Sequence, residues 1–244
     1  MRSLFLRLAV VIIVAATAGS AGAEAGGGRT RFILAASWQP AFCQTNHRKA
    51  ECASQTKERF DATNFSLHGL WPLRENYCGV SDDLRAADKG GSWNELPAVT
   101  LSDASKVALD KAMPGTQSGL ERHEWLKHGT CTTMSADDYF STAIRLVGEL
   151  NDSAVRDLFA SRIGKTVTSQ EIKTAFDTSF GAGAGDRIKM SCRRAGQNRV
   201  ISELTIGLSE EATTDDGASL GDLIQGAGRT SFGCNEGIVD AAGF

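Results

Sequence analysis

Apolar residues recur along this chain at two periods, and the switches between them outline its elements. From Ser135 to Leu150, the residues Phe140, Ala143, Ile144, Val147 and Leu150 fall three or four apart, which predicts a helix with one stripe on the core. Ser102 is placed to cap a second helix ending near Met113-Pro114-Gly115, and Val155 to Ile163 reads as a third. Thr168 with Glu171 forms a capping box ahead of a fourth, carrying Ile172, Ala175, Phe176 and Phe180. Period-two segments at Arg31–Ser37, Phe65–Trp71, Arg187–Arg194 and Arg199–Leu208 read as strands, the last two a hairpin turning at Ala195-Gly196-Gln197-Asn198. The expected fold is a single α+β domain, a mainly antiparallel central sheet packed with helices, with no repeat or linker that would divide it.

The start of the chain does not belong to that domain. Arg2 and Arg7 precede an apolar stretch from Leu8 to Ala18, and Ala21-Gly22-Ala23 follows, the layout of a secretory signal cleaved before Glu24. Residues 1–23 are therefore read as a signal peptide and 24–244 as the exported domain. The apolar stretch is shorter than the roughly 20 residues a membrane span requires, so no membrane association is expected after cleavage. Without Arg2 and Arg7 the chain keeps 24 basic against 29 acidic residues, a formal charge of −5. That balance opposes broad electrostatic coating of nucleic acid but leaves room for a local cationic cleft. Six cysteines in an exported domain predict three disulfides, with about 15 connectivities open to arithmetic.

Candidate chemistry is concentrated in two runs, Phe65-Ser66-Leu67-His68-Gly69-Leu70-Trp71-Pro72 and His123-Glu124-Trp125-Leu126-Lys127-His128-Gly129-Thr130-Cys131, which hold three of the four histidines and two of the four tryptophans. On a helix, His123 shares a face with Lys127 and Glu124 with His128, the two pairs about 100° apart. The wide polar face so formed has the groups needed to hold an anion and move protons near neutral pH. Ser118 and Glu121 suggest a capping box for this helix, and Gly129 a C-terminal cap. Two histidines near a glutamate resemble a zinc motif, but they stand five apart rather than four, so one ion cannot take both. Other signals carry little: Gly181-Ala182-Gly183-Ala184-Gly185 follows a helix instead of a strand, and Gly164-Lys165-Thr166 lacks the first glycine of a phosphate loop.

Taken together, the two runs resemble the active-site segments of the RNase T2 family of secreted endoribonucleases, in the family's order and spacing. The resemblance implies metal-independent, cofactor-free cleavage of single-stranded RNA by attack of the ribose 2′-hydroxyl, giving 2′,3′-cyclic phosphates and then 3′-phosphates. It implies His128 as general base, His68 as general acid, Lys127 and Glu124 as stabilisers of the pentacoordinate phosphorus, and His123 as the phosphate holder. It also implies the pairings Cys43 to Cys52, Cys78 to Cys131 and Cys192 to Cys234, and a monomer that is secreted or periplasmic. Leu120 and Glu121 replace the aromatic residues common ahead of His-Glu-Trp, and Leu73 replaces an acid often found after Trp-Pro. Low base specificity is therefore expected, with Trp71 and Tyr77 as base-binding candidates. A noncatalytic binding protein on the same scaffold would predict loss of His68, Lys127 or His128, and all three are present.

Overall fold

The computed structural model describes residues 28–209 and 217–243. The signal segment and the cleavage site before Glu24 lie outside the described residues.

Strands β1 (Phe32–Ser37) and β2 (Ser66–Pro72) pair antiparallel, and β1 pairs antiparallel with β5 (Asn198–Leu208). Strand β4 (Ile188–Ala195) covers the other edge of β5, closing the expected hairpin, whose turn carries Gly196 at φ +59°. Two three-residue strands, β3 (Thr166–Thr168) and β6 (Glu236–Ile238), extend the sheet, with β6 parallel to β5 at Val200. Apart from that contact, every strand pair is antiparallel, as the sequence predicts.

Alternation gives the sheet two unlike faces. Leu34 and Ala36 on β1, Leu204, Ile206 and Leu208 on β5, and Ile188 and Met190 on β4 are buried in one core. Against that core lies α6 (Ala136–Asn151), which buries Phe140, Ala143, Leu146, Val147 and Leu150. Its Ser135 cap accepts from the Asp138 amide, and its Tyr139 hydroxyl donates to the Leu70 carbonyl at 2.7 Å. Asn151 at its end clasps the backbone of Phe65 in both directions, at 2.8 and 3.0 Å. Trp38, Phe65 and Phe159 complete the core with ring contacts of 4.7–5.4 Å. The predicted helices at 103–112 (α4), 154–161 (α7) and 169–180 (α8) all form, the last with both hydrogen bonds of its Thr168–Glu171 box. Ile163, assigned to a helix from sequence, instead bridges to Val239.

Short or polar elements had no readable period: α1 (Gln39–Thr45), α2 (Ala50–Ala53), α3 (Asp82–Gly90) and α9 (Leu220–Gln225). The helix of the second run, α5, spans Leu120–Lys127, and its caps differ from expectation. Gly119, at φ +76°, is the N-cap, while the Ser118 hydroxyl donates to the buried Glu51 carboxylate instead of the helix. A Cβ at Gly119 would lie 2.7 Å from the Trp93 backbone, so both conformation and space require glycine. Gly129 is no left-handed cap either: the helix ends at His128, and a 3₁₀ turn, Gly129–Cys131, follows. What requires glycine there is the Trp125 ring, 2.1 Å from where a Cβ would stand.

The three disulfides are Cys43–Cys52, Cys78–Cys131 and Cys192–Cys234, the pairings the resemblance implies. The middle one ties the loop after β2 to the turn after α5, and so braces the two runs against each other.

Candidate active site

His68 occupies a β-bulge. Ala35 pairs with Gly69 and Ala36 with Leu67, so His68 is the extra residue on β2, and bulges of this kind re-aim a side chain. Its ring turns to the sheet face that carries Ser37 and Glu203, where Nδ1 lies 2.6 Å from Glu203 Oε2. With a carboxylate on Nδ1, that nitrogen keeps its hydrogen and Nε2 faces the cleft. Burial acts to lower the His68 pKa, but the Glu203 hydrogen bond and the negative charges of Glu124 and Glu203 outweigh it, and the net direction is upward.

Helix α5 supplies the opposite wall with His123, Glu124 and Lys127, and His128 caps its end. Glu124 is 1% exposed, and its Oε1 stands 3.8 Å from Nε2 of both His68 and His123. Its other oxygen accepts from Trp71 Nε1 at 2.7 Å. This close approach needs Gly69, because a Cβ there would fall 1.9 Å from Glu124 Oε2. Burial, opposed by His68, Trp71 and Lys127, pushes the Glu124 carboxyl up to about 7.

The Trp71 indole sits between the two histidines nearest the sheet, edge-on to His68 at 5.1 Å and stacked on His128 at 5.5 Å. His128 is in an environment opposite to that of His68. It is buried, its Nδ1 has no hydrogen-bond partner among the described residues, and burial plus the charges of Lys127, His123 and His68 bring its pKa down to about 3. Its imidazole is held neutral.

His123 is fixed from behind. Its Nδ1 donates to the buried Asp88 Oδ1 at 2.8 Å, and its ring stacks on Trp93 at 4.3 Å. Burial, aided by Lys127 and His68, lowers its pKa against the pull of Asp88. Asp88 also accepts from the Tyr77 hydroxyl at 2.6 Å, and the Tyr77 amide donates to the Lys127 carbonyl at 2.8 Å. Burial and Asp88 push the Tyr77 phenol up to about 12, so it stays a donor to Asp88. Tyr77 therefore orients the residue that orients His123.

The structure thus gathers His68, His123 and Trp71 around the Glu124 carboxylate, with His128 stacked on Trp71, while Lys127 and Tyr77 line a pocket with His123. Glu203, Asp88 and Trp93 were not found by sequence reasoning. Glu203 is the one charge in the apolar alternation Val200–Leu208, a signal that also fits a solvated strand position. Asp88 lies on α3, a helix without an apolar stripe. Among the described residues no group of three His, Cys, Asp or Glu side chains gathers as metal ligands, and no helix is long and apolar enough to cross a membrane.

Residues 29–217 match the sequence profile of the Ribonuclease T2 family. Ribonuclease I of Escherichia coli (strain K12) is 32% identical over 206 residues, covering 75% of this chain and 76% of that protein. Ribonuclease T2 of Danio rerio is 26% identical over 208 residues, covering 82% and 76%. Among solved structures, RNase NT in complex with 5′-AMP superposes with a TM-score of 0.51 at 21% identity, over 76% of this chain and 88% of that one. At that identity the likeness speaks to the fold, the α+β architecture described above.

Proposed function

The chain belongs to the Ribonuclease T2 family, and on that premise we propose that it is a metal-independent endoribonuclease that cuts single-stranded RNA through a 2′,3′-cyclic phosphate. The observation that carries this reading is the contrast between two imidazoles flanking one indole, His68 raised in proton affinity and His128 lowered to about 3. Two titratable groups pushed apart by their surroundings identify an acid and a base.

His128, neutral, accepts the proton of the ribose 2′-hydroxyl. The 2′-oxygen attacks phosphorus, the bond from phosphorus to the 5′-oxygen breaks, and His68 delivers its Nε2 proton to that leaving oxygen. The products are a 2′,3′-cyclic phosphate and a 5′-hydroxyl. In the slower second step the roles reverse: His68 accepts a proton from water, the water oxygen attacks phosphorus, the bond from phosphorus to the 2′-oxygen breaks, and protonated His128 returns its proton to that oxygen, leaving a 3′-phosphate. Each proton transfer contributes roughly 10² to 10⁴ in rate. His123, fixed by Asp88, holds the phosphate, and Lys127 compensates charge on the equatorial oxygens. Glu124, protonated below about pH 7, can donate to one of those oxygens.

Weak base selectivity is part of the proposal. Trp71 and the ring of Tyr77 offer base contacts by their exposed parts alone, since the indole nitrogen and the phenol are engaged by Glu124 and Asp88. We further place the protein as a monomer in a secreted or periplasmic compartment, for which the three disulfides are the support. The test is digestion of RNA in excess chelator with identification of the product ends. Cyclic phosphates and 5′-hydroxyls are expected, with DNA resistant. Products bearing 5′-phosphates, or loss of activity with chelator, would refute the mechanism.

A further inference from the structure

The sheet face that carries the catalytic groups continues past them to β4. Across it run Gly69 and Trp71 on β2, Ile33 and Ala35 on β1, Thr205 and Gly207 on β5, and Lys189 on β4, all by strand register. Over the Trp71 end lies a cavity of about 390 Å³, bordered by Trp71, Leu73, Arg187, Lys189, Thr205 and Arg229. Three of its border residues are cationic and none is acidic, in a chain whose acidic residues outnumber its basic ones by 29 to 26.

Among the described residues one carboxylate, Asp186, lies close to these cations, and it is held first by Lys173 at 3.0 Å and less by Arg229 and Arg187. Arg187 donates to the carbonyls of Ala227, Gly183 and Gln225, which fix its guanidinium without cancelling its charge. Arg229 is 78% exposed and approaches Asp186 no closer than 3.8 Å. Lys189 is exposed and has no carboxylate partner among the described residues. The occupant such a surface selects is a polyanion with an aromatic or sugar face to lay on Trp71 and Leu73.

We propose that this cavity is a phosphate subsite for the RNA strand, in which Lys189 and Arg229, supported by the charge of Arg187, bind a phosphodiester flanking the scissile one. The proposal rests on the ribonuclease reading above. Trp71 provides the continuity, since the same indole touches His68 and His128 and also borders the cationic cavity. Lys189 stands three strand spacings from Gly69, about 14 Å, a separation suited to a phosphate that neighbours the scissile one.

The test compares Lys189→Gln, Arg229→Gln and the double variant with wild type on a dinucleoside monophosphate, which has no flanking phosphate, and on a ten-nucleotide RNA. Cleavage of the dinucleotide should be unchanged. On the longer RNA, kcat/KM should fall about tenfold for each charge removed, mostly through KM, and the salt dependence should lose about 0.7 in log-log slope per charge. Equal losses on both substrates, or none on the longer one, would overturn the subsite. Binding of a 2′-O-methyl decanucleotide to the same variants separates the two readings. If wild type cuts no RNA yet Lys189→Gln weakens this binding, the subsite stands and the enzymatic assignment falls; if wild type cuts no RNA and Lys189→Gln leaves the binding unchanged, both fall.

Discussion

Gly69→Ala is the substitution by which the site is most exposed to test. The added methyl would stand 1.9 Å from Glu124 Oε2 and 2.4 Å from Trp71 Nε1, where ordinary contact begins near 3.4 Å. The carboxylate must therefore withdraw by about 1.5 Å and the indole nitrogen by about 1.0 Å, and Glu124 is 1% exposed. The 2.7 Å bond between Trp71 and Glu124 is then lost, and with it the indole's alignment of His68 and His128. Misplacement on this scale costs about 10²-fold in turnover, and the overpacking costs about 1–3 kcal/mol, read as a fall of roughly 3–10 °C in Tm. Steady-state cleavage of RNA and a thermal melt measure the two. A double-mutant cycle with Glu124→Ala isolates the contact: deleting the carboxylate should restore much of the lost stability and none of the activity. Near-wild-type turnover and Tm in Gly69→Ala would show that Glu124 does not lie over Gly69 and that the catalytic groups are arranged otherwise.

The rate should follow a bell in pH, with an acid limb near 3, where His128 protonates, and an alkaline limb above the ordinary 6.5 of histidine, where His68 loses its proton; kcat/KM from pH 2.5 to 9 measures both. Glu203→Gln removes the hydrogen-bonded charge that raises His68, so the alkaline limb should move to lower pH while the acid limb stays; movement of neither would remove Glu203 from the site. Glu124 binds its proton more tightly folded than unfolded, so its contribution to stability is complete below its ordinary 4.5 and is lost as pH rises to about 7. In Glu124→Gln that decline should be absent from urea melts taken at pH 4 to 8, and an unchanged decline would contradict the assignment. Replacing Cys78 and Cys131 with serine opens a link spanning 53 residues and should cost about 4 kcal/mol in the chain-entropy view, with kcat falling besides because the two runs lose their brace; calorimetry and turnover on the same sample report each.

Local order determined what the sequence determined by itself. The stripe through Phe140, Ala143, Val147 and Leu150, the Thr168–Glu171 box and the hairpin turn at Gly196 each lie within a few residues, so periodicity and capping suffice to read them. The reactive groups of α5 were legible for the same reason, since i to i+4 spacing places His123 beside Lys127 and Glu124 beside His128. What the tertiary structure alone decided depends on separations of 35 to 135 residues. Asp88 reaches His123 across 35 positions, Trp71 reaches Glu124 across 53, and Glu203 reaches His68 across 135. No local pattern marks a carboxylate for such a partner. The same holds for Gly129, which reads as helix punctuation but is demanded by Trp125 packed against it. Sequence named the groups that can move a proton; which imidazole holds it and which stays neutral follows from burial and from charges that only folding brings within a few ångströms.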